Sequence, residues 1–528
     1  MNKSCKNCNQ SFEIFPEDRE MYGRFEVPEP TWCPECRMIR RMTFRNDRAL
    51  YKRKCDKCGA DKIFMYPADA PFPVYCYECW WSDSWDPKSY GRDYDFSKPF
   101  FDQFLELRNA VPRCGVVRQG FSTNSEYTNR VTDMKNCYLV FESTKAEDCR
   151  YGIGYDFSQN CMDCFTAQKS ERCYECIDVL SCSNLLYSQE CQECANSSYL
   201  LNCRNCTDCY GCVNLRNKSY CVLNVQYTKE EYKEKIKEFT IEKFEELKRS
   251  LPVPALVTRQ STNVTGNWID NSKNIFQSYN VLEVEDARYC FRVFYGKDLM
   301  DFGPWSNKSE RMYEGINVGL QCADGKFLNE CWSQLINAEY CFNCHSSTNL
   351  FGCDGIRKSE YCILNKQYSK EDYEETVKKI KAHMGADYGE YFPMSLSPHA
   401  YNETIAQEFF PLTKEQALAK GYRWRDMEEK NPTIGGDVVA CEHAGNCNQQ
   451  CTKAFKMIPD ELEFYKQFNL PIPKLCPNCR HFERLAKRNP LKLWDRSCAK
   501  CSKEISTSYS PDRPEIVYCI ECYQQEVA

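Results

Sequence analysis

The spacing of the central cysteines constrains this fold more than any other feature. Fourteen cysteines lie between Cys137 and Cys221, and all of them fall in one phase of a three-residue period. Chance would scatter them over three phases. Because an α-helix repeats every 3.6 residues and a β-strand every two, neither element explains such a pattern.

A narrow coiled ribbon of about 12 residues per turn explains the period, because every third side chain then points into a very small core. Cys149, Cys161 and Cys173 would stack directly on successive coils. The pattern resembles the short-coil antifreeze solenoids. We therefore predict a β-solenoid whose coils rise by about 4.8 Å, the spacing between strands.

A second unit repeats the first. Residues 211–232 align with 352–373 at an offset of 141, and each copy leads into a charged segment, near 229–249 and near 370–384. Thr228 and Ser369 are of the residue types that cap helix N-termini, and each is followed three residues later by an acidic residue that can return the hydrogen bond. Each solenoid is therefore expected to end in a helix.

The two copies also suggest what the central thiols do. Cys137 corresponds to Ile275 and Cys149 to Ala287, so apolar residues replace thiols in the second unit. A free thiol behaves as a small hydrophobic group in a tight core. Core filling is the favoured interpretation, and clustered metal or iron–sulfur binding and regulated disulfides are the alternatives.

The cellular compartment bears on the chemistry of all 39 cysteines. The N-terminal residues lack the apolar stretch of a signal peptide, and no run of about 18 apolar residues could cross a membrane. These features predict a cytoplasmic protein with no membrane partner. Disulfides are rare in a reducing cytosol, so metal binding becomes the leading expectation for paired cysteines. A net charge of -6 argues against a chain that coats nucleic acid over its whole surface.

Cysteine pairs with two-residue spacers occur at both ends of the chain. Such a spacer can aim two sulfurs at one ion, and a second pair completes a tetrahedral zinc site. Which cysteine pairs share an ion is left open at the N-terminus, because a cross-braced arrangement could combine pairs from the two neighbouring sets. The predicted N-terminal zinc ligands are Cys5, Cys8, Cys33, Cys36, Cys55, Cys58, Cys76 and Cys79.

The C-terminus repeats this plan, since residues 12–36 match 455–479 without a gap. At the offset of 443, Cys8 falls on Cys451 but Cys5 falls on Asn448. Cys447 is therefore expected to be the remaining ligand of the third site, with Cys441 or His443 as substitutes. The predicted C-terminal zinc ligands are Cys447, Cys451, Cys476, Cys479, Cys498, Cys501, Cys519 and Cys522.

The segment from Cys5 to Arg37 carries a CxxC pair, a phenylalanine, an acidic and aromatic stretch, a proline and a Cys-Pro-x-Cys-Arg knuckle. It resembles the zinc-ribbon (treble-clef) family over about 40 residues at each end. In that fold the second knuckle opens a helix, and Pro34 and Pro477 suit a first helical turn. The whole chain resembles an uncharacterised bacterial family of cysteine-rich zinc-ribbon proteins, which implies no particular activity.

A basic segment follows the Cys-Pro-x-Cys knuckle at each end of the chain. Arginine and lysine on a rigid ribbon, interleaved with aromatic residues, could contact phosphates and stack on bases. The alternative is a solvated helix that links two zinc sites. The candidate nucleic-acid contacts are Arg37, Arg40, Arg41, Arg45, Lys52, Arg53, Lys54, Arg480, Arg484, Lys487 and Arg488.

The usual enzyme motifs are missing from the sequence. No phosphate-binding glycine loop, nucleophile elbow or HExxH motif occurs, and five scattered histidines offer little for acid–base catalysis. The sequence CFNCH at 341–345 matches a haem-attachment pattern, but Cys341 and Cys344 already share the solenoid phase.

Together these patterns predict a mainly β protein: two short-coil β-solenoids with capping helices, flanked by paired zinc-ribbon modules. The leading hypothesis is a non-enzymatic zinc-binding scaffold whose ends contact nucleic acid or a ribonucleoprotein. A metal-handling or thiol-redox protein and a protein-binding adaptor are the alternatives. The predicted zinc modules are 1–50, 51–96, 441–490 and 491–528; the solenoids are 97–227 and 256–368, with connecting segments 228–255 and 369–440, the latter running into a linker at 431–437.

Overall fold

A computed structural model describes residues 2–303, 309–319, 321–426 and 435–527. Residues 431–434 of the predicted linker lie outside this part of the chain. The fold is mainly β, as predicted, with two stacks of parallel strands and cysteine-rich modules at both ends. None of the helices in the described part is long and apolar enough to cross a membrane.

The first solenoid stacks its strands in parallel with a register of 12 residues after its first coil, so that Tyr138 pairs with Arg150 and Phe165 with Ile177; the first pair, Arg118 with Val131, is 13 residues apart. The predicted coil length is confirmed here. Its strands are Arg118–Gln119, Thr128–Thr132, Tyr138–Thr144, Arg150–Asp156, Phe165–Gln168, Ile177–Leu180, Ser183–Leu186, Ala195–Ser198, Thr207–Tyr210 and Ser219–Val222.

The backbone explains the three-residue period. From Arg130 to Leu223 every third residue has a left-handed φ, and as far as Cys212 the residue that follows each such corner is buried in the core. Cys137, for example, follows Asn136, whose φ is 52°. A left-handed conformation costs roughly 1 kcal/mol for a non-glycine residue. The stacked ladder and the buried core must offset that cost at each corner.

The inward thiols also hydrogen-bond to the backbone. The Cys176 thiol donates to the carbonyl of Tyr174 in its own coil and of Leu185 in the next coil, both at 3.4 Å. Ser158 occupies an equivalent inward position and donates to the carbonyls of Asp156 and Ala167. At these positions the core therefore holds small side chains that donate a hydrogen bond, which cysteine and serine both supply, whereas other inward positions hold larger apolar residues such as Leu185 and Leu200.

The second solenoid has the same architecture with less regular coils. Thr258 pairs with Ile269 after 11 residues, Val281 with Val293 after 12, and Met312 with Gly325 after 13. Its strands are Thr258–Arg259, Thr262–Asp270, Lys273–Arg288, Phe291–Met300, Ser309–Tyr313, Ala323–Asn329, Ile336–Phe342, Thr348–Phe351 and Glu360–Ile363.

Each solenoid ends in an antiparallel hairpin and a helix. The side chain of Asn224 bonds both backbone groups of Val213, and Asn365 does the same for Asp354. Because these amides satisfy the open end of the last coil, they stop the stack. The hairpin strands Val225–Gln226 and Lys366–Gln367 precede the helices Lys229–Lys235, Ile241–Ser250 and Lys370–Met384. The sequence suggested one helix near 229–249, but a 3-10 turn at Ile236–Glu238 divides it.

Four cysteine modules lie outside the solenoids, and we name them modules 1 to 4: residues 2–50, 51–96, 435–490 and 491–527. Their strands are Asn2–Ser4, Ser11–Glu13, Tyr51–Lys54, Asp61–Phe64, Val74–Tyr75, Val438–Ala440, Ala454–Lys456, Trp494–Ser497, Glu504–Thr507 and Val517–Tyr518. Their helices are Pro16–Arg24, Pro34–Met42, Tyr77–Trp81, Pro459–Gln467, Pro477–Ala486 and Ile520–Val527.

Short elements join the modules to the solenoids. The strands Arg113–Cys114 and Val253–Pro254 precede the two solenoids and pair with the last strands of modules 2 and 4. The remaining helices are Phe100–Ala110, Ile405–Phe409 and Lys414–Ala419, with 3-10 turns at Pro87–Tyr90, Gly385–Asp387, Met394–Leu396 and Tyr401–Glu403.

Candidate metal centres

Each module brings four cysteine sulfurs together, with all ligand atoms within 4.8 Å of one another. One contact in each set, such as Cys8 to Cys33, measures 3.8 or 3.9 Å between sulfurs. We call these sets tetrads 1 to 4. They are Cys5, Cys8, Cys33 and Cys36; Cys55, Cys58, Cys76 and Cys79; Cys441, Cys451, Cys476 and Cys479; and Cys498, Cys501, Cys519 and Cys522.

Every tetrad is built from a hairpin turn and a helix N-terminus. Cys33 and Cys476 are the N-caps of helices with proline in the first turn, as the sequence predicted for Pro34 and Pro477. Backbone N–H groups at the second knuckle donate to a sulfur of the first, with Cys33 N to Cys5 Sγ at 3.2 Å. The same bond joins Cys76 to Cys55. Such donors and the helix dipole stabilise thiolates.

The third tetrad corrects the sequence interpretation. Cys441, not Cys447, completes the set with Cys451, Cys476 and Cys479, and Cys441 Sγ accepts the same 3.2 Å bond, from Cys476 N. The module 3 hairpin connection is seven residues longer than that of module 1, so a gap-free alignment misplaces the first knuckle. The position of Cys441 directly after a strand, like that of Cys5, is the sequence feature that could have revealed it.

Cys447 remains close to the third tetrad without belonging to it. Its sulfur lies 3.7 Å from that of Cys479, and His443, Cys447 and Cys479 form a second, overlapping group of metal-ligand type. His443 is also 3.8 Å from Glu483. Of the two substitutes that the sequence suggested for Cys447, Cys441 therefore belongs to tetrad 3 and His443 belongs to this neighbouring group.

The electrostatics favour a thiolate at the first cysteine of tetrads 1, 2 and 4 and at Cys476 of tetrad 3, whereas burial raises the pKa of others such as Cys441 and Cys76. Burial raises the pKa of Cys5, but backbone N–H donors from Cys33, Cys8 and Asn7 outweigh it and lower the pKa to about 7. The same balance lowers the pKa of Cys498 to about 6. In tetrad 3, hydrogen bonding from Cys479 lowers the pKa of Cys476 to about 4. Since the thiolate is the metal ligand, these shifts prepare the sites for a cation.

The solenoid thiols have a different environment. Each of the fourteen from Cys137 to Cys221 is at most 2% exposed, as are the seven from Cys290 to Cys362. Within the described ranges, metal-ligand groups that converge within 4.8 Å occur only in the modules. Burial raises the pKa of Cys191 well above its ordinary value. A buried thiol with a raised pKa is a poor nucleophile and a poor ligand. At Cys341, burial raises the pKa, but hydrogen bonds with Cys344 and Cys353 outweigh it and lower the pKa to about 5.

Most of the predicted nucleic-acid contacts are buried, which corrects that part of the sequence interpretation. Arg37, Arg40, Arg41 and Arg45 are at most 3% exposed, although the sequence places them in a charged helix. Their guanidinium groups face carboxylates of the solenoids: Arg37 lies 2.8 Å from Asp301, and Arg40 lies 2.8 Å from Glu314. The buried candidates are Arg37, Arg40, Arg41, Arg45, Arg53, Arg480, Arg484 and Arg488.

The C-terminal arginines repeat this arrangement on the other solenoid. Arg484 lies 3.1 Å from Asp163 and 2.7 Å from Glu175, and Arg488 lies 2.7 Å from Asp178. Module 1 therefore docks on the second solenoid and module 3 on the first, through equivalent arginines. Arg53 instead pairs with Asp56 inside module 2.

Only the lysines of the predicted interface are exposed. Lys52 and Lys54 lie on the hairpin of module 2, and Lys487 follows the last helix of module 3. The structure does not bring these three lysines and the eight arginines together as one basic surface.

Comparisons with known proteins add no identification. No protein-family model, curated protein or solved structure matches the chain.

Proposed function

We propose that the protein is a non-enzymatic scaffold in which four zinc ions fix the terminal modules on two rigid solenoids. The convergence of the four cysteine tetrads is the observation that carries this proposal. Four sulfurs at about 2.3 Å from a tetrahedral zinc ion would lie about 3.8 Å apart, close to the contacts of 3.8 and 3.9 Å in the tetrads.

The placement of the tetrads supports a structural role for the metal. Tetrad 1 holds the N-terminus of helix Pro34–Met42, whose arginines pair with Asp301 and Glu314 of the second solenoid. Tetrad 3 holds the equivalent helix, Pro477–Ala486, against the first solenoid. All four ligand positions are thiols, as in closed structural zinc sites, whereas catalytic zinc keeps an open position.

Tetrad variants test the proposal through metal content and module order. Cys36→Ser should remove one zinc and increase proteolysis of module 1, because helix Pro34–Met42 loses its fixed N-terminus. Cys176→Ser, in the solenoid core, is the matched control and should leave the zinc content unchanged. Unchanged zinc content in Cys36→Ser, or equal loss in both variants, would refute the scaffold role.

Contact with nucleic acid remains a proposal for the lysine side of module 2 alone. Lys52, Lys54 and Lys57 are exposed on and beside one hairpin, where phosphates could approach them. Salt-dependent binding of an RNA oligomer that weakens in a Lys52→Gln, Lys54→Gln variant would support it. Binding that is unchanged in this variant would reject this surface.

A further inference from the structure

A half-open cleft lies where the first solenoid, the start of the second solenoid and helix Ile520–Val527 meet. Its volume is about 910 Å³, within the range of small-molecule sites. Arg204 and Arg216 line it from the first solenoid, and Arg259 lines it from the second. None of these residues belongs to the tetrads or to the docking ion pairs.

Two of the three arginines of this cleft, Arg204 and Arg259, are poorly compensated, whereas Arg216 donates to the carbonyls of Asn202 and Leu215 and to the side-chain oxygen of Asn202. Arg204 and Arg216 pair on successive coils, where like charges placed side by side destabilise a sheet. The Nε atoms of Arg204 and Arg259 are buried and have no hydrogen-bond partner, and the Arg204 guanidinium pairs with no side chain in the described part of the chain. Burial and the neighbouring Arg259 and Arg216 lower the pKa of Arg204.

The nearby carboxylates compensate the cluster only in part. Burial raises the pKa of Glu190, a carboxyl that interacts with Arg259, to about 7. Asp270 lies 3.7 Å from Arg259, a long contact with a carboxylate that is itself 38% exposed. Glu193 and Glu283 also line the cleft, but both are exposed at its rim. The interior therefore favours an anion, while the rim would repel a long polyanion such as a nucleic-acid strand.

On the second solenoid, the position equivalent to this cleft is filled by side chains. The column Gln192, Arg204, Arg216 of the first solenoid corresponds to Trp332, His345, Arg357 of the second. In that copy, Trp80 and Trp81 of module 2 occupy the space, and the Arg357 guanidinium lies 5.0 Å from the Trp80 ring.

Module 4 has smaller or more polar side chains where module 2 has these tryptophans. At the offset of 443, Trp80 becomes Tyr523 and Trp81 becomes Gln524. Tyr523 turns to the solenoid, where its hydroxyl donates to Asn214 at 2.7 Å. One copy is thus packed with aromatic rings, and the other has arginines around a cleft.

We propose that this cleft binds a phosphorylated small molecule of about nucleotide size, with its phosphate held by Arg204, Arg216 and Arg259. Guanidinium groups bind phosphate through paired, charge-assisted hydrogen bonds. Amide side chains of Asn205, Asn217 and Gln260 also line the cleft and offer donors and acceptors for the rest of the ligand.

Calorimetric titration of the full zinc-loaded chain with inorganic pyrophosphate and with ATP tests the proposal. Saturable binding below about 1 mM is expected, and Arg204→Gln should weaken it about tenfold or more, because each charge-assisted bond contributes substantially. Tighter binding of ATP would mean that the cleft also contacts the nucleoside, whereas equal affinities would mean that phosphate alone is recognised. Either result supports the site.

Two further variants separate binding from folding. Gln524→Trp should fill the cleft as in the other copy and abolish binding with every arginine retained, whereas Arg357→Gln in the filled copy should leave binding unchanged. Without ligand, Arg204→Gln should raise the melting temperature, since it relieves repulsion; a purely structural arginine would give a decrease.

Several results would overturn the proposal. These are absence of binding for both probes, equal affinity in wild type, Arg204→Gln and Gln524→Trp, or binding of an RNA oligomer without binding of either small probe. The zinc content of each variant is measured in the same samples. Failure of this site would leave the scaffold role intact, because the cleft goes beyond that function and uses none of its ligands.

Discussion

At the residue scale, a solenoid thiol is a small core side chain that also donates a hydrogen bond. Serine occupies the same inward positions at Ser143, Ser158 and Ser170, and its hydroxyl makes equivalent backbone bonds. At these positions the size of the side chain and its ability to donate a hydrogen bond matter more than whether the donor atom is sulfur or oxygen.

This equivalence predicts the effect of substitutions at Cys176. Cys176→Ser should cost no more than about 1 kcal/mol in the free energy of unfolding, because a donor of similar size is retained. Cys176→Leu should cost about 1–3 kcal/mol, since the larger side chain overpacks this position and the thiol donor is lost. Denaturant unfolding of the zinc-loaded protein measures both, and equal costs would contradict the packing account.

His399 sets a pH dependence at the residue scale. Its ring is 3% exposed, stacks on Tyr66 at 5.2 Å and has no hydrogen-bond partner at either nitrogen among the described residues. Burial and the charges of Arg130, Arg113, Arg423 and Arg108 lower the pKa of His399 well below its ordinary value.

A histidine with a lowered pKa in the folded state stabilises the fold above its unfolded pKa of about 6.5, and this stabilisation is lost as pH falls below that value. His399→Phe should therefore reduce the slope of unfolding free energy against pH below about 6.5, by up to about 1.4 kcal/mol per pH unit. Equal slopes for the two proteins in parallel unfolding curves would mean that His399 titrates normally.

At the element scale, the docking helices depend on buried ion pairs. Asp163 is fully buried and faces both Arg480 and Arg484, at 3.4 and 3.1 Å. Asp301 holds the equivalent position opposite Arg37 and Arg41. Removing one carboxylate would leave buried cations without a partner.

Asp163→Asn should therefore destabilise the docking of module 3 by about 3–5 kcal/mol. Hydrogen exchange across helix Pro477–Ala486 should accelerate while helix Pro34–Met42 stays protected. In Asp301→Asn, exchange should accelerate across helix Pro34–Met42 while helix Pro477–Ala486 stays protected. Asp460→Asn is the control in the same module: Asp460 pairs with Arg150 but is 66% exposed, so the cost should stay below about 1 kcal/mol. Similar exchange in Asp163→Asn and Asp460→Asn would refute the docking role.

The partners of these arginines also mark what sequence alone could not predict. Arg37 and Asp301 are 264 residues apart, and a basic helix without its partner resembles a nucleic-acid contact. One ligand of the third tetrad was assigned to Cys447, with Cys441 only as a substitute, for a local reason: a longer hairpin shifted Cys441 out of alignment with Cys5. By contrast, the solenoid and the other tetrads follow from short-range spacing, because corner geometry and ligand pairing are set within a few residues.

At the scale of the whole molecule, the duplicated unit is a cysteine module docked on a solenoid. Module 1 packs on the second solenoid as module 3 packs on the first, through arginines that match at the offset of 443. The two ends of the chain thereby tie both solenoids into one body. The copies differ most at the arginine cleft, where one half is filled by tryptophan and the other is open.

The most direct test of this account is the metal content of the purified chain, measured by elemental analysis of protein isolated without added chelator. Four zinc ions per chain are predicted, one for each tetrad, with the solenoid thiols contributing none. Iron with visible absorption, a number well above four, or a folded protein without zinc would contradict the division between metal-binding ends and a thiol-packed centre.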